Sequence, residues 1–470
     1  MSNAFDVTVI GSGPGGYVAA VRCSQLGLKT AIVEKDPRLG GTCLLRGCIP
    51  TKALLESAHL YDKMRKAKNW GIKAEGVELD FTQVQKFRAK TVDKNSKGVD
   101  YLMNKGKIEI LRGHGRIAGR GKLTVTADDG TVTTVDSKNI IIATGSVCKD
   151  LPFIEMDHVR TINSDDILEI SEVPETLIVM GAGAVGTEFA SIYNSFGSSV
   201  TLVEFQDRLL PIEDEDVSKE LARSFKKKKI GVKTSTKITR VELRENGVSV
   251  AMEPVNGGAE EVMEADRLLV AVGRAPVTWD IGLDTVGIQT DDRGCVEVDD
   301  HCRTSVEGIY ALGDAIATPW LAHVASHEGV MIAEQIAGKH VHPINYDHTP
   351  NCTYCDPEVG SVGLTEAKAK ERGYDVKTGS FPFAASGKAR IMGEADGMVK
   401  MVVDKEYNQL LGVHIIGPKA TELIAEIVLG LELETTVEEL AHAMHPHPTL
   451  SEAVGEAAHA ALNGAALNFF

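Results

Sequence analysis

Near the start of the chain, a glycine-rich turn lies between a strand-like run and a helical pattern. In residues 5–16, FDVTVIGSGPGG, an apolar β-branched run leads into Gly11, Gly13 and Gly16. In a βαβ unit the first glycine permits the turn, the second lets the backbone approach a pyrophosphate, and the third lets the helix pack on the strand. The next apolar run ends at Glu34, whose carboxylate can accept hydrogen bonds from a ribose diol. The pattern predicts a dinucleotide-binding unit.

The same pattern occurs a second time in the chain. Gly181, Gly183 and Gly186 follow the apolar run TLIVM and precede another helical pattern, and the next strand-like run ends at Glu204. Gly181 and Glu204 are 23 positions apart, which is the same interval as in the first copy. We therefore expect two dinucleotide sites. The alternative is that one copy keeps the fold without holding a ligand.

Glu204 also indicates which nicotinamide cofactor binds. A carboxylate accepts hydrogen bonds from a free 2′-hydroxyl but repels a 2′-phosphate, which an arginine would accommodate. NAD is therefore favoured over NADP. Arg208 lies four positions later and could in principle reach a 2′-phosphate, so NADP stays as the alternative.

Length, charge and hydropathy narrow the class of protein. The 470 residues exceed one ordinary domain, so several domains are expected. A net charge of −16 would repel phosphate backbones and anionic membrane surfaces, which argues against a nucleic-acid partner. No apolar stretch approaches the ~20 residues that span a bilayer, so no membrane insertion is expected. The strand-like run from Phe5 leaves no room for a signal peptide, so we expect a cytoplasmic protein of bacterial type, or one from an organelle matrix after processing.

The eight cysteines are too few for a disulfide scaffold, so a close pair is expected to be catalytic or metal-binding. Cys43 and Cys48 are separated by four residues, a gap that a strained helical turn can close to disulfide distance. Zinc sites usually combine CxxC with a second pair or with histidines at matching spacing, and none follows here. Pro50 suits the first turn of a helix, which would place Cys48 at the positive end of the helix dipole and lower its thiol pKa. A redox disulfide is favoured, and no metal site is expected.

The segment GGTCLLRGCIPTKALL resembles the active-site segment of the pyridine nucleotide-disulphide oxidoreductases, and the whole chain resembles the members that oxidise dihydrolipoamide. The resemblance implies that the first dinucleotide module holds FAD, that the second holds NAD, and that the disulfide lies beside the flavin. It implies that Cys43 is the interchange thiol that meets substrate and that Cys48 is the charge-transfer thiol under the flavin. It also implies an ion pair near the flavin ring between Lys52 and Glu188.

Two features depart from the family pattern. Leu45 stands where many relatives have a polar residue, and we expect this to change local hydrogen bonding more than the chemistry. A second pair, Cys352 and Cys355, lies where relatives usually lack one or both cysteines. We expect thiols without a role at this CxxC, with a metal or accessory redox site as the alternative.

The resemblance implies further cofactor contacts along the chain. An aspartate that follows a strand, as Asp314 does in GIYALGDA, can accept hydrogen bonds from ribityl or ribose hydroxyls. Outside the first fingerprint the expected FAD contacts are Lys52, Gly115, Thr144, Gly145, Ser146, Asp314, Ala322 and His323. Outside the second fingerprint the expected NAD contacts are Glu188, Ile238 and Gly273.

Near its C-terminus the chain reads HAMHPHPTLSEAV, which supplies a candidate general base. Thiol–disulfide exchange needs an attacking thiolate, so a base is required when the substrate thiols are protonated. A histidine oriented by a carboxylate fits this role. Spacing alone leaves the choice between His445 and His447 open. The family motif HxHPTxSE selects His447 as the base and Glu452 as its orienting carboxylate.

The resemblance implies an enzyme that oxidises protein-bound dihydrolipoamide to lipoamide and reduces NAD+ to NADH. It implies a homodimer in which His447 reaches the disulfide of the other subunit. The implied partners are lipoyl-bearing acyltransferase subunits of 2-oxoacid dehydrogenase complexes, or the lipoyl carrier protein of glycine cleavage. The alternatives are a related flavin disulfide reductase that acts on glutathione disulfide with NADPH, and a non-catalytic flavoprotein that senses redox state.

The expected fold class is α/β, with two Rossmann-like domains, a central domain and a C-terminal α/β domain. The expected boundaries are 1–147 for the FAD-binding domain, 148–274 for the NAD-binding domain, 275–346 for the central domain that completes the FAD site, and 347–470 for the interface domain.

Overall fold

A computed structural model describes residues 4–469. The described chain forms two compact units, and each unit is assembled from three separate stretches of sequence. The first unit contains residues 4–53, 85–149 and 273–346, and the second contains residues 54–84, 150–272 and 347–469.

The strands of the described chain are, in order, β1 (Ala4–Ile10), β2 (Thr30–Glu34), β3 (Glu109–Arg112), β4 (His114–Gly119), β5 (Lys122–Thr126), β6 (Val132–Ile142), β7 (Ser146–Cys148), β8 (Thr161–Ile162), β9 (Thr176–Met180), β10 (Ser199–Val203), β11 (Gly231–Lys233), β12 (Thr236–Arg244), β13 (Gly247–Pro254), β14 (Glu261–Ala265), β15 (Arg267–Val270), β16 (Arg274–Pro276), β17 (Ile309–Ala311), β18 (Asn351–Thr353), β19 (Glu358–Gly363), β20 (Val376–Pro382), β21 (Met398–Asp404) and β22 (Leu410–Gly417).

The α-helices are α1 (Pro14–Gln25), α2 (Gly41–Arg46), α3 (Cys48–Arg65), α4 (Phe81–Lys105), α5 (Ala184–Phe196), α6 (Glu215–Lys227), α7 (Ala322–Ile336), α8 (Glu366–Glu371), α9 (Gly387–Met392), α10 (Ala420–Glu432), α11 (Val437–His442) and α12 (Glu452–Asn463). Short 3₁₀ helices span Ala67–Trp70, Leu283–Thr285, Gly313–Ala315, Tyr346–His348 and Phe383–Ala385.

The first unit is built on one sheet with strand order β3-β2-β1-β6-β5-β4, and β17 pairs with β6. Strands β2 and β6 flank β1 in parallel, as the first glycine fingerprint predicts for a βαβ unit. Continuous β-branched runs form these strands because both faces of a parallel sheet are buried. Helices α1 and α7 pack closely, since a Cβ atom on Gly329 would lie 2.7 Å from the carbonyl oxygen of Gly15.

The second unit contains a parallel sheet with strand order β11-β10-β9-β15-β8, which carries the second glycine fingerprint after β9. An antiparallel sheet, β12-β13-β14, is inserted between β11 and β15. The C-terminal part of the unit is a five-stranded antiparallel sheet with order β18-β19-β22-β21-β20, and α12 packs on β20 and β21. The predicted α/β class with two Rossmann-like modules is confirmed.

A buried lysine stabilises the second unit. The Nζ atom of Lys400 on β21 lies 2.9 Å from Asp214 Oδ1, 2.6 Å from Asp216 Oδ2 and 2.8 Å from Glu366 Oε2. Burial lowers the pKa of Lys400, but the hydrogen bonds to the three carboxylates raise it by more, so the net shift is upward. Lys400 is therefore a buried cation that balances acidic groups at the starts of α6 and α8.

Candidate active site

Cys43 and Cys48 form a disulfide between two consecutive helices, with their Cα atoms 4.7 Å apart. Cys43 lies in α2 and Cys48 is the first residue of α3. Gly47, which joins the helices, leaves room for this approach, since a Cβ atom there would lie 3.0 Å from the Thr42 carbonyl oxygen. The Thr51 hydroxyl donates to the Gly47 carbonyl oxygen at 2.6 Å and holds the first turn of α3. The break between α2 and α3 thus brings Cys43 and Cys48 close enough to form the disulfide.

The position of Cys48 has an electrostatic consequence. The first N–H groups of a helix carry the positive end of its dipole, which stabilises a thiolate. The start of α3 therefore stabilises a Cys48 thiolate when the disulfide opens. Leu45, the departure from the family pattern, is 7% exposed and packs in the hydrophobic core of the first unit.

The first glycine fingerprint has the geometry that a pyrophosphate requires. A Cβ atom on Gly16 would lie 2.0 Å from the Gly11 carbonyl oxygen, so only glycine allows this turn. Within residues 4–469, and apart from the two chain neighbours of Gly13, no heavy atom lies within 4 Å of the corresponding point on Gly13, which leaves its backbone open to a phosphate. The buried Glu34 accepts the backbone N–H of Ser12 at 2.9 Å and also bonds the Ser12 hydroxyl. Ser12 was not among the residues singled out from the sequence.

The second fingerprint repeats this geometry. Gly181 has a φ of +100°, and a Cβ atom on Gly186 would lie 1.9 Å from its carbonyl oxygen. The backbone of Gly183 is as accessible as that of Gly13, since among the described residues beyond its two chain neighbours no heavy atom lies within 4 Å of the point where a Cβ atom would stand. Both modules therefore offer a backbone surface that fits a dinucleotide.

Glu204 is fixed in the way that Glu34 is fixed. One carboxylate oxygen accepts the N–H of Ala182 at 2.6 Å, and the other accepts the N–H of Gln206 at 2.8 Å. Arg208, the residue that left NADP open, lies 3.6 Å from the carboxylate of Asp207. The carboxylate that we expect to meet the ribose is thus held by two backbone N–H groups, and the competing arginine has an acidic neighbour.

A cavity of about 480 Å³ is lined in part by the residues that follow Glu34 in the chain. Lys35, Asp36, Arg112 and Gly113 are among the residues that line it. Gly115, the predicted contact two residues further, is buried, and a Cβ atom there would lie 3.0 Å from a methyl carbon of Val33. The cavity lies beside Glu34 and Gly115 in the sequence but is not lined by either, so the adenine contact at Gly115 stays a prediction.

The predicted FAD residues Ser146 and Asp314 are in direct contact in the first unit. The Ser146 hydroxyl bonds the Asp314 carboxylate, and Arg274 donates to the hydroxyl and to the carbonyl oxygen of Ser146, each at 2.7 Å. Burial raises the pKa of Asp314, an effect that Ser146 and Arg274 partly offset. Arg274 was missed by the sequence analysis, although it directly follows the predicted Gly273.

The neighbouring backbone is held by two further contacts. The Thr144 hydroxyl donates to the Val277 carbonyl oxygen at 2.6 Å, and the Val277 N–H donates to the Gly145 carbonyl oxygen at 2.8 Å. The fully buried Glu328 accepts the N–H of Gly313 at 2.6 Å and so fixes the turn that presents Asp314. Ala322 and His323 are the first two residues of α7.

The predicted base and its orienting carboxylate are brought together in the second unit. His447 Nδ1 lies 2.7 Å from Glu452 Oε1, and Glu452 Oε2 accepts the N–H of Thr449 at 2.7 Å. The His447 side chain is 80% exposed, so its ring can meet a substrate. This pairing occurs because Glu452 begins α12 and points back along the loop that carries His447.

His445, the rival base, is also paired with a carboxylate. Its Nε2 atom lies 2.9 Å from Glu426 Oε1 on α10, and its side chain is only 10% exposed. A ring with this burial is poorly placed to take a proton from an incoming thiol. The geometry therefore favours His447 over His445.

The remaining predicted residues lie at distinct places. Lys52 is in α3, one turn after Cys48, and Gly273 precedes β16. Glu188 is buried in α5 and accepts the N–H of Tyr354 at 2.9 Å. Ile238 is 5% exposed and packs in a core with β13 and β15, which gives its side chain a structural role. The ion pair between Lys52 and Glu188 stays a prediction.

The second pair of cysteines, Cys352 and Cys355, does not form a disulfide. Cys352 is half-buried in β18, whereas Cys355 is buried and its thiol contacts the Pro357 carbonyl oxygen at 3.2 Å. Burial raises the pKa of the Cys355 thiol well above its usual range, which favours the protonated thiol over the thiolate. Within residues 4–469, the acidic and imidazole groups close enough to share a metal ion are the surface residues Asp299, Asp300 and His301, and neither cysteine is among them.

Comparison with known families decides the classification. The model of the pyridine nucleotide-disulphide oxidoreductases matches residues 5–329, and the dimerisation domain of the same family matches residues 349–458. The chain belongs to the pyridine nucleotide-disulphide oxidoreductase family. It is therefore an FAD- and NAD-dependent disulfide oxidoreductase, which confirms what the resemblance of its active-site segment implies. The matched dimerisation domain supports a homodimer.

Individual members of the family align with nearly the whole chain. Dihydrolipoyl dehydrogenase of Bacillus subtilis is 44% identical and covers 100% of both chains. The mitochondrial dihydrolipoyl dehydrogenase 1 of Arabidopsis thaliana is 43% identical over 97% of this chain and 90% of its own. The crystal structure of LpdA from Mycobacterium tuberculosis superposes with a TM-score of 0.89 at 27% identity, over 96% of this chain and 99% of that one.

The helices of the described chain are too short or too polar to cross a membrane. Among those formed by residues 4–469, none has both the length and the apolar character that crossing a membrane requires.

Proposed function

We propose that this oxidoreductase is a dihydrolipoyl dehydrogenase, which oxidises protein-bound dihydrolipoamide to lipoamide and reduces NAD+ to NADH. The observation that carries the proposal is the Cys43–Cys48 disulfide at the start of α3, in a chain whose relatives of that name align along nearly its full length. Glu204 supports NAD as the nicotinamide cofactor, because its carboxylate is held where a 2′-phosphate would meet a negative charge.

His447 begins the reaction as a general base. Its Nδ1 atom is engaged by Glu452, which leaves Nε2 to take a proton from one substrate thiol. Glu452 holds the tautomer and stabilises the imidazolium that forms. Burial raises the pKa of Glu452, but the hydrogen bonds from His447 and Thr449 lower it by more, so this carboxyl group is ionised at neutral pH.

Disulfide exchange then proceeds through the two cysteines. The substrate thiolate attacks Cys43 Sγ, the bond to Cys48 breaks, and Cys48 leaves as a thiolate at the positive end of α3. The second substrate thiol, once deprotonated, attacks the substrate sulfur of the mixed disulfide. This step forms lipoamide and releases Cys43, which takes up the proton that the second substrate thiol gives up, while the first proton stays on His447. Two electrons have thus passed from the substrate to the cysteine pair.

The reduced cysteine pair needs an electron acceptor before its disulfide can form again. When bound, FAD and NAD+ supply the acceptors for the two electrons of the cysteine pair. For FAD we assign the open turn at Gly13, the carboxylate of Glu34 and the buried contact between Ser146 and Asp314, which fit phosphate, ribose and ribityl groups respectively. For NAD we assign the corresponding turn at Gly183 with Glu204.

The organisation of the protein follows from the same assignment. We propose the four domains 1–147, 148–274, 275–346 and 347–470, with the last forming a homodimer in which His447 acts on the disulfide of the partner subunit. The proposed partners are lipoyl-bearing acyltransferase subunits of 2-oxoacid dehydrogenase complexes or the lipoyl carrier protein of glycine cleavage. Similarity to the Bacillus subtilis enzyme supports a cytoplasmic location.

The test compares purified wild-type protein with Cys48→Ser. We expect the variant to retain FAD, measured by its absorbance, and to lose dihydrolipoamide-dependent reduction of NAD+. Cys352→Ser is the control, because this half-buried thiol lies outside the disulfide, and it should keep wild-type turnover. Unchanged turnover in Cys48→Ser would overturn the mechanism. Turnover of glutathione disulfide with NADPH, and not of dihydrolipoamide with NAD+, would overturn the substrate assignment.

A further inference from the structure

The loop that presents His447 is held by a second histidine–glutamate pair. His445 Nε2 lies 2.9 Å from Glu426 Oε1, and Glu426 belongs to α10, while His447 is paired with the first residue of α12. Two residues of one loop are thus bonded to two different helices. The two pairs differ in exposure, since the His445 side chain is 10% exposed and the His447 side chain is 80% exposed.

This difference matters because an exposed ring is not fixed by packing. The orientation of His447 depends on its hydrogen bond to Glu452 and on the backbone that carries it. That backbone is held on its C-terminal side by Thr449, whose N–H donates to Glu452 and whose hydroxyl donates to the Pro446 carbonyl oxygen at 2.7 Å. On its N-terminal side the anchoring side chain is His445.

The packing around His445 is specific to its imidazole ring. Its Nδ1 atom lies 3.0 Å from the point where a Cβ atom on Gly455 of α12 would stand. Contacts at this distance are tighter than ordinary van der Waals separation, so the ring occupies the space left by the glycine. His445 is therefore seated between Glu426 on α10 and Gly455 on α12.

We propose that His445 is a positioning residue, which through Glu426 and the space at Gly455 fixes the loop that aims His447 at the substrate thiol. The inference rests on the proposed function, because it assigns the aiming of His447 to a residue that takes no part in the proposed chemistry. A displacement of about 1 Å of a catalytic group can reduce turnover about 100-fold, so an anchor two residues from the base has a measurable effect.

The first experiment removes the anchoring hydrogen bond with His445→Leu. We expect kcat for dihydrolipoamide and NAD+ to fall about 10-fold with little change in KM, because the base is misplaced while substrate binding is retained. NADH-dependent reduction of ferricyanide, which requires no deprotonation of a substrate thiol, should stay at the wild-type rate. His445→Gln restores an N–H donor toward Glu426 and should recover most of the lost turnover. Exposed His442 gives the control variant His442→Gln, which should leave kcat unchanged.

A second variant tests the packing without changing His445. Gly455→Ala places a Cβ atom against the His445 ring and should lower kcat in the same way as His445→Leu. Gly430→Ala is the matched helix control, because a Cβ atom there meets its nearest neighbour at 3.7 Å, an ordinary contact. Circular dichroism and bound FAD verify that the variants are folded.

The outcomes separate this inference from the proposed function. If His447→Gln is inactive but His445→Leu and Gly455→Ala keep wild-type kcat, the positioning role is wrong and the proposed function stands. If His447→Gln is itself fully active with dihydrolipoamide, the proposed base is wrong. Loss of ferricyanide reduction in His445→Leu together with loss of FAD would show general unfolding and would also overturn the positioning role.

Discussion

His447 and Glu452 form a hydrogen bond of 2.7 Å between an exposed imidazole and the first side chain of a helix. The carboxylate is half-buried, and its second oxygen is bonded to the backbone of the same loop. The pair therefore links the charge of Glu452 to the position of His447.

Glu452→Gln should lower kcat for dihydrolipoamide oxidation about 100-fold, because the amide neither fixes the imidazole tautomer nor stabilises the imidazolium. Steady-state kinetics against the exposed control Glu434→Gln would measure this effect. A kcat within error of that control would contradict the assigned role.

The same carboxylate has a pH signature. The pKa of Glu452 is lowered in the folded chain from its usual 4.5, so its ionised form stabilises the fold above that value and this contribution is lost as pH falls through the lowered pKa. Wild-type protein should therefore be more stable than Glu452→Gln at neutral pH, and the difference should shrink below about pH 4.5. Thermal melts across this range would reveal the opposite trend if the sign were wrong.

Lys400→Met should lower the free energy of unfolding by about 3 kcal/mol, because it leaves three carboxylates without their buried cation. Lys405 at the end of the same strand gives the control, since its side chain is 51% exposed and its ion pair with Asp375 lies in solvent. Lys405→Met should cost no more than about 0.5 kcal/mol. Equal chemical denaturation midpoints for the two variants would refute the prediction.

Glu34 and Glu204 make equivalent contacts in the two modules, but we assign the first module to FAD and the second to NAD. The same substitution should therefore affect a different cofactor in each module. Glu204→Ala should lower kcat/KM for NADH about 10-fold, because the ribose hydroxyls lose a hydrogen-bond acceptor. It should also reduce the preference for NADH over NADPH, because the carboxylate that repels a 2′-phosphate is removed. Glu34→Ala should instead weaken FAD retention. Coenzyme kinetics and the flavin content of the purified variants distinguish the two, and an unchanged NADH preference in Glu204→Ala would contradict the assignment.

Hybrid dimers test whether His447 acts on the partner subunit. Neither Cys48→Ser nor His447→Gln homodimers should turn over dihydrolipoamide. A hybrid of the two variants retains one site with an intact disulfide from one subunit and an intact histidine from the other. Co-expression with two affinity tags should therefore yield hybrids with about half of wild-type activity. Inactive hybrids would place the base and the disulfide in the same subunit.

Local signals were sufficient to predict both dinucleotide modules. The turn at Gly11 and Gly16 cannot form with larger residues, and the same is true of Gly181 and Gly186. The positions of the glycines in the sequence therefore predict both turns. The pairing of His447 with Glu452 is equally local, because the two residues are five positions apart.

Contacts between distant residues carried no such signal. Ser146 and Asp314 are 168 positions apart, and Lys400 is 186 positions from Asp214. Glu426 reaches His445 from a helix that ends before the motif begins, so spacing alone left two candidate bases. Burial separates the two histidines, and burial is a property of the assembled sheet and helices.

The strand β17 has a consequence for biosynthesis. It completes the sheet of the first unit beside β6, yet Ala311 is added 169 positions after its partner Ile142. At 5–20 residues per second, a ribosome takes roughly 10–30 s to make the intervening chain. During that time the edge of β6 that β17 will cover remains unpaired, and an unpaired strand edge can pair with another chain.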